Sequence, residues 1–93
     1  MDNLKDQIIE QYEFKIEGYT FIITAMLDKK TSMLEYYGHI KGYGTILFLL
    51  GYDATVLGIK KDDFDNEIKN YAKVLAHDYA GLILERNGIE HYD

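Results

Sequence analysis

The stretch DDFDNEIKNYAKVLAHDYAGLILERNG, residues 62–88, decides the fold because it carries the strongest periodic pattern in the chain. At about 100° per residue, its apolar side chains fall within a stripe roughly 120° wide, which is typical of an amphipathic helix lying on a core. The stripe comprises Phe64, Ile68, Tyr71, Ala72, Leu75, Tyr79, Leu82 and Ile83. The sequence therefore predicts one long C-terminal α-helix, with the rest of the chain packed against it.

Both ends of this predicted helix carry the expected signals. Acidic side chains at the start are placed to cap free N–H groups and to favour the positive end of the helix dipole. They are Asp62, Asp63, Asp65 and Glu67. At the other end, a left-handed Gly88 would bring Ile89 to Leu84, the contact that accompanies a Schellman turn. Arg86 in the last turn suits the negative end of the dipole.

Upstream of the helix, the apolar period changes from 3.6 residues to two, which is typical of β-strands. Alternating segments lie on either side of Glu17 and Gly18, and the glycine suits a two-residue hairpin turn. This turn places Ile16 opposite Tyr19, so that the apolar side chains of both strands share one face. The sequence therefore predicts a β-hairpin.

A third strand is predicted after a charged loop at residues 28–31. Pairing Leu27 with Ser32 sets Ala25 opposite Leu34 and keeps the same face apolar through all three strands. The opposite face is predicted to be mixed, with polar side chains around Ile22, Met26, Met33 and Tyr37. The prediction is an α+β fold: a three-stranded antiparallel meander packed against the long C-terminal helix, in one domain over residues 1–93.

Two segments are harder to assign from periodicity. Residues 3–11 have helical spacing of their apolar side chains and predict a short N-terminal helix. The apolar run at residues 46–50 follows Thr45, a good N-cap, and precedes glycines that resemble helix stops. A buried helix over residues 45–57 is therefore expected, and a fourth strand is the alternative.

Composition narrows the functional classes. With 16 acidic and 10 basic residues, the chain has a net charge of −6 and as a whole repels phosphate, so no direct nucleic-acid binding is expected. It has no cysteine, which fits a reducing compartment. The N-terminus lacks the features of a signal peptide, and the run at 46–50 is too short to span a bilayer. These features predict a cytoplasmic protein with no membrane partner.

No pattern of catalytic residues stands out. His39, His77 and His91 are not at HxH or HxxxH spacing, and the chain's only serine, Ser32, lies in a predicted turn. We therefore expect a non-enzymatic protein with no catalytic residue, no metal site and no cofactor. The glycine-rich loop from Lys41 to Gly44 offers one alternative, because backbone N–H groups before a helix can hold an anion.

Carboxylates and tyrosines are the candidate partner-binding residues. On the helical wheel, Glu67, Asp78 and Glu85 cluster on one flank of the apolar stripe, within about 20° of one another. With Asp62, Asp63 and Asp65 they form a predicted acidic ridge. The chain also has nine tyrosines, a residue enriched at interfaces, of which Tyr37, Tyr43, Tyr52 and Tyr92 are candidates for exposure. Tyr37 and Tyr43 are the two predicted to bind the partner.

An acidic ridge can imitate a run of phosphates in front of a basic surface. Small acidic chains without catalytic motifs are typical of phage and mobile-element inhibitors such as anti-CRISPR and anti-restriction proteins, an analogy of size and charge. The sequence therefore predicts a protein partner with a basic surface, such as a nucleic-acid-handling enzyme. The alternatives are a self-associating module, for instance a homodimer, and a small ligand-binding domain that uses the loop from Lys41 to Gly44.

Overall fold

The computed structural model describes residues 7–54 and 64–89, and the fold class is α+β as predicted. Within these residues, four strands form one antiparallel sheet in the order β1-β2-β3-β4, and two helices follow. The elements are β1 (Gln7–Ile16), β2 (Tyr19–Asp28), β3 (Met33–Ile40), β4 (Leu47–Asp53), α1 (Phe64–Asp78) and α2 (Ala80–Arg86). The meander therefore has one strand more than the three that were predicted.

The predicted first hairpin is confirmed in its register. Ile16 lies opposite Tyr19 and Phe14 lies opposite Phe21. Both turn residues have positive φ, 53° at Glu17 and 85° at Gly18. Positive φ at both central positions matches the right-handed twist of the flanking strands, which is why this short turn fixes the pairing.

The second turn starts one residue later than predicted, and the register of β2 with β3 moves by two residues. Leu27 lies opposite Leu34 rather than Ser32. The Asp28 carboxylate accepts the Lys30 N–H at 2.9 Å, and the Asp28 carbonyl accepts the Ser32 N–H at 2.7 Å, so Asp28 closes the loop from its strand end. Because a two-residue shift preserves side-chain facing, the predicted core face is unchanged.

The prediction of an N-terminal helix is wrong for residues 7–11, which belong to β1, whereas residues 3–6 lie outside the described residues. Strand β2 is long enough to pair with β1 over its full length, with Ile8 opposite Leu27 and Gln7 opposite Asp28. A ladder of hydrogen bonds stabilises this segment better than an isolated helix of so few residues would be stabilised.

The predicted helix over residues 45–57 is also wrong for its central part, which forms β4, so the alternative of a fourth strand is correct, whereas residues 55–57 lie outside the described residues. The ladder between β3 and β4 is irregular: Leu50 lies opposite Tyr36, but Phe48 lies opposite Tyr37, so Leu49 is the extra residue of a bulge. Leu49 and Leu50 consequently both pack on the core, which interrupts the two-residue alternation and hides the strand in the sequence.

The predicted long C-terminal helix is divided at Tyr79, which adopts φ −104° and ψ 8° between α1 and α2. Backbone hydrogen bonds of 2.9 Å still run from the Tyr79 N–H to Leu75 and from the Ile83 N–H to Tyr79. The kink turns the buried stripe, so that Leu84 is 1% exposed and Leu82 is 39% exposed. Leu82 was predicted to lie in the core, and this prediction is wrong.

The end of α2 is a Schellman turn, as predicted. Gly88 has φ 79°, its N–H bonds to the Glu85 carbonyl at 3.0 Å, and the Ile89 N–H bonds to the Leu84 carbonyl at 2.9 Å. The side chain of Asn87 then connects this end of the helix to the loop before β4. It accepts the Thr45 N–H at 3.1 Å and donates to the Thr45 carbonyl at 3.3 Å.

Both helices lie on one face of the sheet, with α1 over β1 and β2 and α2 over β3. The core lies between the two layers. Its large members from the sheet are Phe21, Ile23, Leu34, Tyr36, Ile40 and Leu49, and those from the helices are Ile68, Leu75, Ile83 and Leu84. The other face of the sheet, here called the outer face, points away from both helices.

Candidate functional site

The exposed side of the two helices carries one row of neighbouring side chains, which we call the helix ridge. Successive members stand three or four residues apart, the spacing at which helical side chains are neighbours. The helix ridge consists of Glu67, Tyr71, Val74, Asp78, Leu82 and Glu85. Carboxylates therefore stand at both ends and near the middle, with apolar side chains between them.

The apolar members of the helix ridge are large and open to solvent. Val74 is 48% exposed, and Leu82 and Tyr71 also rank among the exposed large hydrophobic residues. Sequence analysis predicted the acidic flank but placed Tyr71 and Leu82 in the core. The helical wheel does not reveal the exposure of Leu82, because it assumes a straight helix and the kink at Tyr79 rotates α2.

The structure places the predicted acidic residues in two groups. Glu67 lines a cavity between α1 and the sheet, whereas Asp78 and Glu85 line a second cavity, which they share with His77 and Glu17. Asp65 belongs to the first turn of α1, and Asp62 and Asp63 lie outside the described residues. The predicted acidic ridge is thus a row along both helices rather than one compact cluster.

The first cavity, which we call the tyrosine pocket, has a volume of about 570 Å³ and opens between α1 and strands β3 and β4. Its walls are mainly apolar, with a carboxylate, an amide and two phenols among them. The lining residues are Leu34, Tyr52, Glu67, Ile68, Asn70, Tyr71 and Val74. Sequence reasoning missed this site because its residues come from three elements that only the tertiary fold brings together.

Three tyrosine rings pack against one another at the tyrosine pocket. The ring centroids of Tyr36 and Tyr71 are 5.5 Å apart at an interplanar angle of 83°, and those of Tyr52 and Tyr71 are 6.0 Å apart at 67°. Tyr36 and Tyr52 are stacked at 6.2 Å, and their hydroxyl oxygens lie 3.4 Å apart. Edge-to-face and offset packing of this kind favours a rigid cluster.

Burial governs the ionisation of this cluster. Loss of hydration raises the pKa of Tyr36 above its usual range, and its hydrogen bond with Tyr52 raises it further. Burial also raises the pKa of Tyr52. Both phenols therefore stay protonated and neutral at physiological pH, and the pocket presents uncharged aromatic rings beside the Glu67 carboxylate.

The other two predicted partner-binding residues lie away from the helix ridge. Tyr37 is on the outer face, where its ring centroid is 5.5 Å from that of Phe48 in an edge-to-face contact. Burial raises the pKa of Tyr37, and the neighbouring Glu35 carboxylate adds to this effect. Tyr43 is exposed in the loop between β3 and β4.

The outer face carries an apolar group of side chains that neither helix covers. Phe48 is 56% exposed, and Ile9 and Met33 are exposed as well. With the partly buried members, the group comprises Ile9, Ile22, Met26, Met33, Tyr37 and Phe48. Cross-strand pairing places Ile9 opposite Met26 and Tyr37 opposite Phe48, and Glu35 and Thr24 lie between these two pairs.

The loop from Lys41 to Gly44 is exposed and leads into strand β4. The anion-binding interpretation of this loop depended on the positive dipole end of a helix that would follow it. Residues 47–53 form a strand instead, so no helix N-terminus stands directly after the loop. Gly42 has φ 88° and sits in a turn closed by the bond from the Tyr43 N–H to the Ile40 carbonyl.

Among the residues that the structure describes, no group of three or more histidine or acidic side chains is arranged to hold a metal ion. Neither helix in the described ranges has the length and apolar character needed to cross a membrane. No family model, curated protein or solved structure matches the chain.

Proposed function

We propose that the protein is a non-enzymatic binding domain that docks its helix ridge on a basic surface of a partner protein. The observation that carries this proposal is the alternation of exposed apolar and acidic side chains along the ridge. A helix that carried acids only for solubility would not need Tyr71, Val74 and Leu82 exposed in the same row. Specific interfaces combine such apolar anchors with a polar rim.

The charges indicate what the partner presents. The chain has a net charge of −6, and the ridge carboxylates Glu67, Asp78 and Glu85 are exposed. Opposite charge on the partner would steer encounter and fix the orientation of the complex. The lysines of α1, Lys69 and Lys73, stand off this row by helical periodicity, so they do not interrupt it.

A nucleic-acid-handling protein is the partner class that this surface fits best. Such proteins expose rows of lysine and arginine that neutralise phosphates, and a row of carboxylates can occupy the same groups. The protein would then act as an inhibitor that competes with nucleic acid, in the manner of anti-CRISPR or anti-restriction proteins. This assignment rests on charge and size, together with the geometry of the ridge.

Capture of partners on the tagged protein tests the proposal, with a nuclease-treated bacterial lysate as the source. We expect a protein with a basic nucleic-acid-binding surface, released by high salt and displaced by added DNA or RNA. Leu82→Ser should reduce its retention about tenfold, as expected for loss of an apolar anchor. A partner that nucleic acid fails to displace would contradict the inhibitor form.

Met33→Ser is the matched control for Leu82→Ser. Met33 is 40% exposed and Leu82 is 39% exposed, but they lie on opposite sides of the molecule. The control should bind the partner like the parent protein. If Met33→Ser abolishes binding and Leu82→Ser does not, the outer face is the interface and the helix ridge is excluded.

Self-association through the outer face is the second candidate function, and the exposure of Ile9, Met33 and Phe48 on that face favours it. Sedimentation analysis at high micromolar concentration should then show a homodimer, and Phe48→Asp should return it to a monomer because it buries a charge in the interface. A parent protein that stays monomeric under these conditions would contradict this second function.

A further inference from the structure

We propose that the tyrosine pocket receives an arginine side chain of the partner, an inference that rests on the proposed function and deepens it. The pocket adjoins the helix ridge, since Glu67, Tyr71 and Val74 belong to both. A partner that docks on the ridge therefore places its own side chains at the mouth of the pocket. Basic residues are the ones that the acidic ridge selects.

The walls of the tyrosine pocket suit the aliphatic stem of such a side chain. Leu34 and Ile68 are almost fully buried and form apolar walls, and Val74 is open to solvent. The volume of about 570 Å³ lies in the range of pockets that hold small organic groups. Arginine buries its methylene groups on apolar surface while its charged end reaches polar partners.

The aromatic rings suit a planar cation. Tyr52 and Tyr71 cross at 67° with centroids 6.0 Å apart, and both rings line the pocket. A guanidinium group stacks on such faces and is attracted by their quadrupoles. Tyr36 and Tyr52 are stacked and their hydroxyl oxygens lie 3.4 Å apart, which helps to hold the Tyr52 ring in place at the pocket.

One carboxylate, Glu67, is among the lining residues of the pocket, and the amide of Asn70 stands one turn further along α1. A carboxylate binds the two parallel N–H groups of guanidinium in a bidentate manner, which an ammonium group cannot reproduce. The same carboxylate repels phosphate and carboxylate ligands. The combined chemistry of aromatic faces, apolar walls and a single acid therefore selects arginine over anionic and neutral groups.

The test is an NMR titration of the full chain with N-acetyl-arginine methylamide. The matched probe is N-acetyl-citrulline methylamide, which has nearly the same shape but no charge. We expect saturable shifts of the Tyr52 and Tyr71 ring signals with the arginine probe, and binding at least about fivefold weaker with the citrulline probe. Equal shifts with both probes, or no saturable shift with arginine, would overturn the inference.

Two variants locate the binding. Glu67→Gln should weaken arginine-probe binding about tenfold, because the charged acceptor is lost while the shape is kept. Glu85→Gln, on the helix ridge but outside the pocket, should leave probe binding unchanged. The reverse pattern, or equal effects of both substitutions, would overturn the pocket assignment.

These titrations need no partner, so they separate the two proposals. If the arginine probe fails to bind while the partner still depends on Leu82, the pocket inference is wrong and the helix ridge stands. If the probe binds but partner capture does not depend on Leu82, the proposed function is wrong, although the pocket is a cation site.

Discussion

Gly38 lies at a close approach between α2 and strand β3. A Cβ atom at this position would lie 2.8 Å from Ile83 Cδ1 and 3.2 Å from Leu49 Cδ1. Ile83 is fully buried, so its side chain has little room to move away. The missing side chain of Gly38 is therefore the space that allows α2 to approach β3.

We predict that Gly38→Ala destabilises the protein by about 1–3 kcal/mol through overpacking. Urea unfolding measures this loss of stability. The control is Gly51→Ala, which should cost less, because its added Cβ would meet Glu35 Cγ at 3.2 Å on the outer face rather than a side chain of the core. Adding Ile83→Val, which deletes the clashing Cδ1, should restore part of the loss in Gly38→Ala. A destabilisation that Ile83→Val only increases would show that the contact with Ile83 is not the cause.

Tyr36 gives a pH prediction. Its raised pKa means that the folded protein holds the phenolic proton more tightly than the unfolded chain, whose tyrosines ionise at about pH 10. This contribution to stability is complete below that pH and is lost progressively as the pH rises above it. The free energy of unfolding should therefore fall above about pH 10, and fall less steeply in Tyr36→Phe. Identical pH profiles for both proteins would contradict this assignment.

At the scale of elements, the kink at Tyr79 decides which leucine of α2 contributes more to stability. A straight helix would bury Leu82, whereas the kinked one buries Leu84. Leu84→Ala should cost about 2–5 kcal/mol, because the side chain is buried in the core. Leu82→Ala should cost less than about 1 kcal/mol, because the side chain is on the surface. Chemical unfolding of the two variants measures the difference. Equal losses, or a larger loss at Leu82, would mean that the helix runs straight through Tyr79.

The side chain of Asn87 connects the end of α2 to the loop before β4 by hydrogen bonds. Asn87 bonds to both backbone groups of Thr45 and donates to the Ile83 carbonyl at 2.8 Å. Asn87→Ala should cost about 1–3 kcal/mol and speed hydrogen exchange at the Thr45 amide. The Tyr43 amide, bonded to Ile40, is the internal control and should change much less. Unchanged exchange at Thr45 would show that this connection does not order the loop.

Features set by neighbouring residues were predictable from the sequence. The turn at Glu17 and Gly18 fixes the first hairpin, and Gly88 fixes the end of α2, because each depends on a local backbone conformation. The bond between Asn87 and Thr45 joins residues 42 positions apart, and no local pattern indicates it. The bulge at Leu49 was hidden for a related reason, since it exists only relative to its partner strand.

The candidate site was predictable in part for the same reason. The acids of the helix ridge follow from helical spacing, which is local. The tyrosine pocket does not, because Leu34, Tyr52 and Ile68 meet only when β3, β4 and α1 pack together. The kink then exposes Leu82, an outcome that depends on how α2 packs against the sheet.

At the scale of the whole molecule, the two sides differ in character. The helix side presents acids alternating with apolar side chains, and the sheet side presents apolar side chains with Glu35 and His39 among them. A net charge of −6 acts at long range on any basic partner, whichever side finally makes the contact. The effect of net charge on partner binding therefore has to be measured separately from the effect of the contacts at the interface.

The most direct test of the central claim compares two variants with equal changes in net charge. One carries Asp78→Lys and Glu85→Lys on the helix ridge, and the other carries Glu10→Lys and Glu13→Lys, at exposed positions of β1. Partner retained on each immobilised protein is measured after both variants are shown to unfold like the parent. The account predicts loss of binding for the ridge variant and near-parent binding for the strand variant. Equal losses in both, or full binding by the ridge variant, would contradict it.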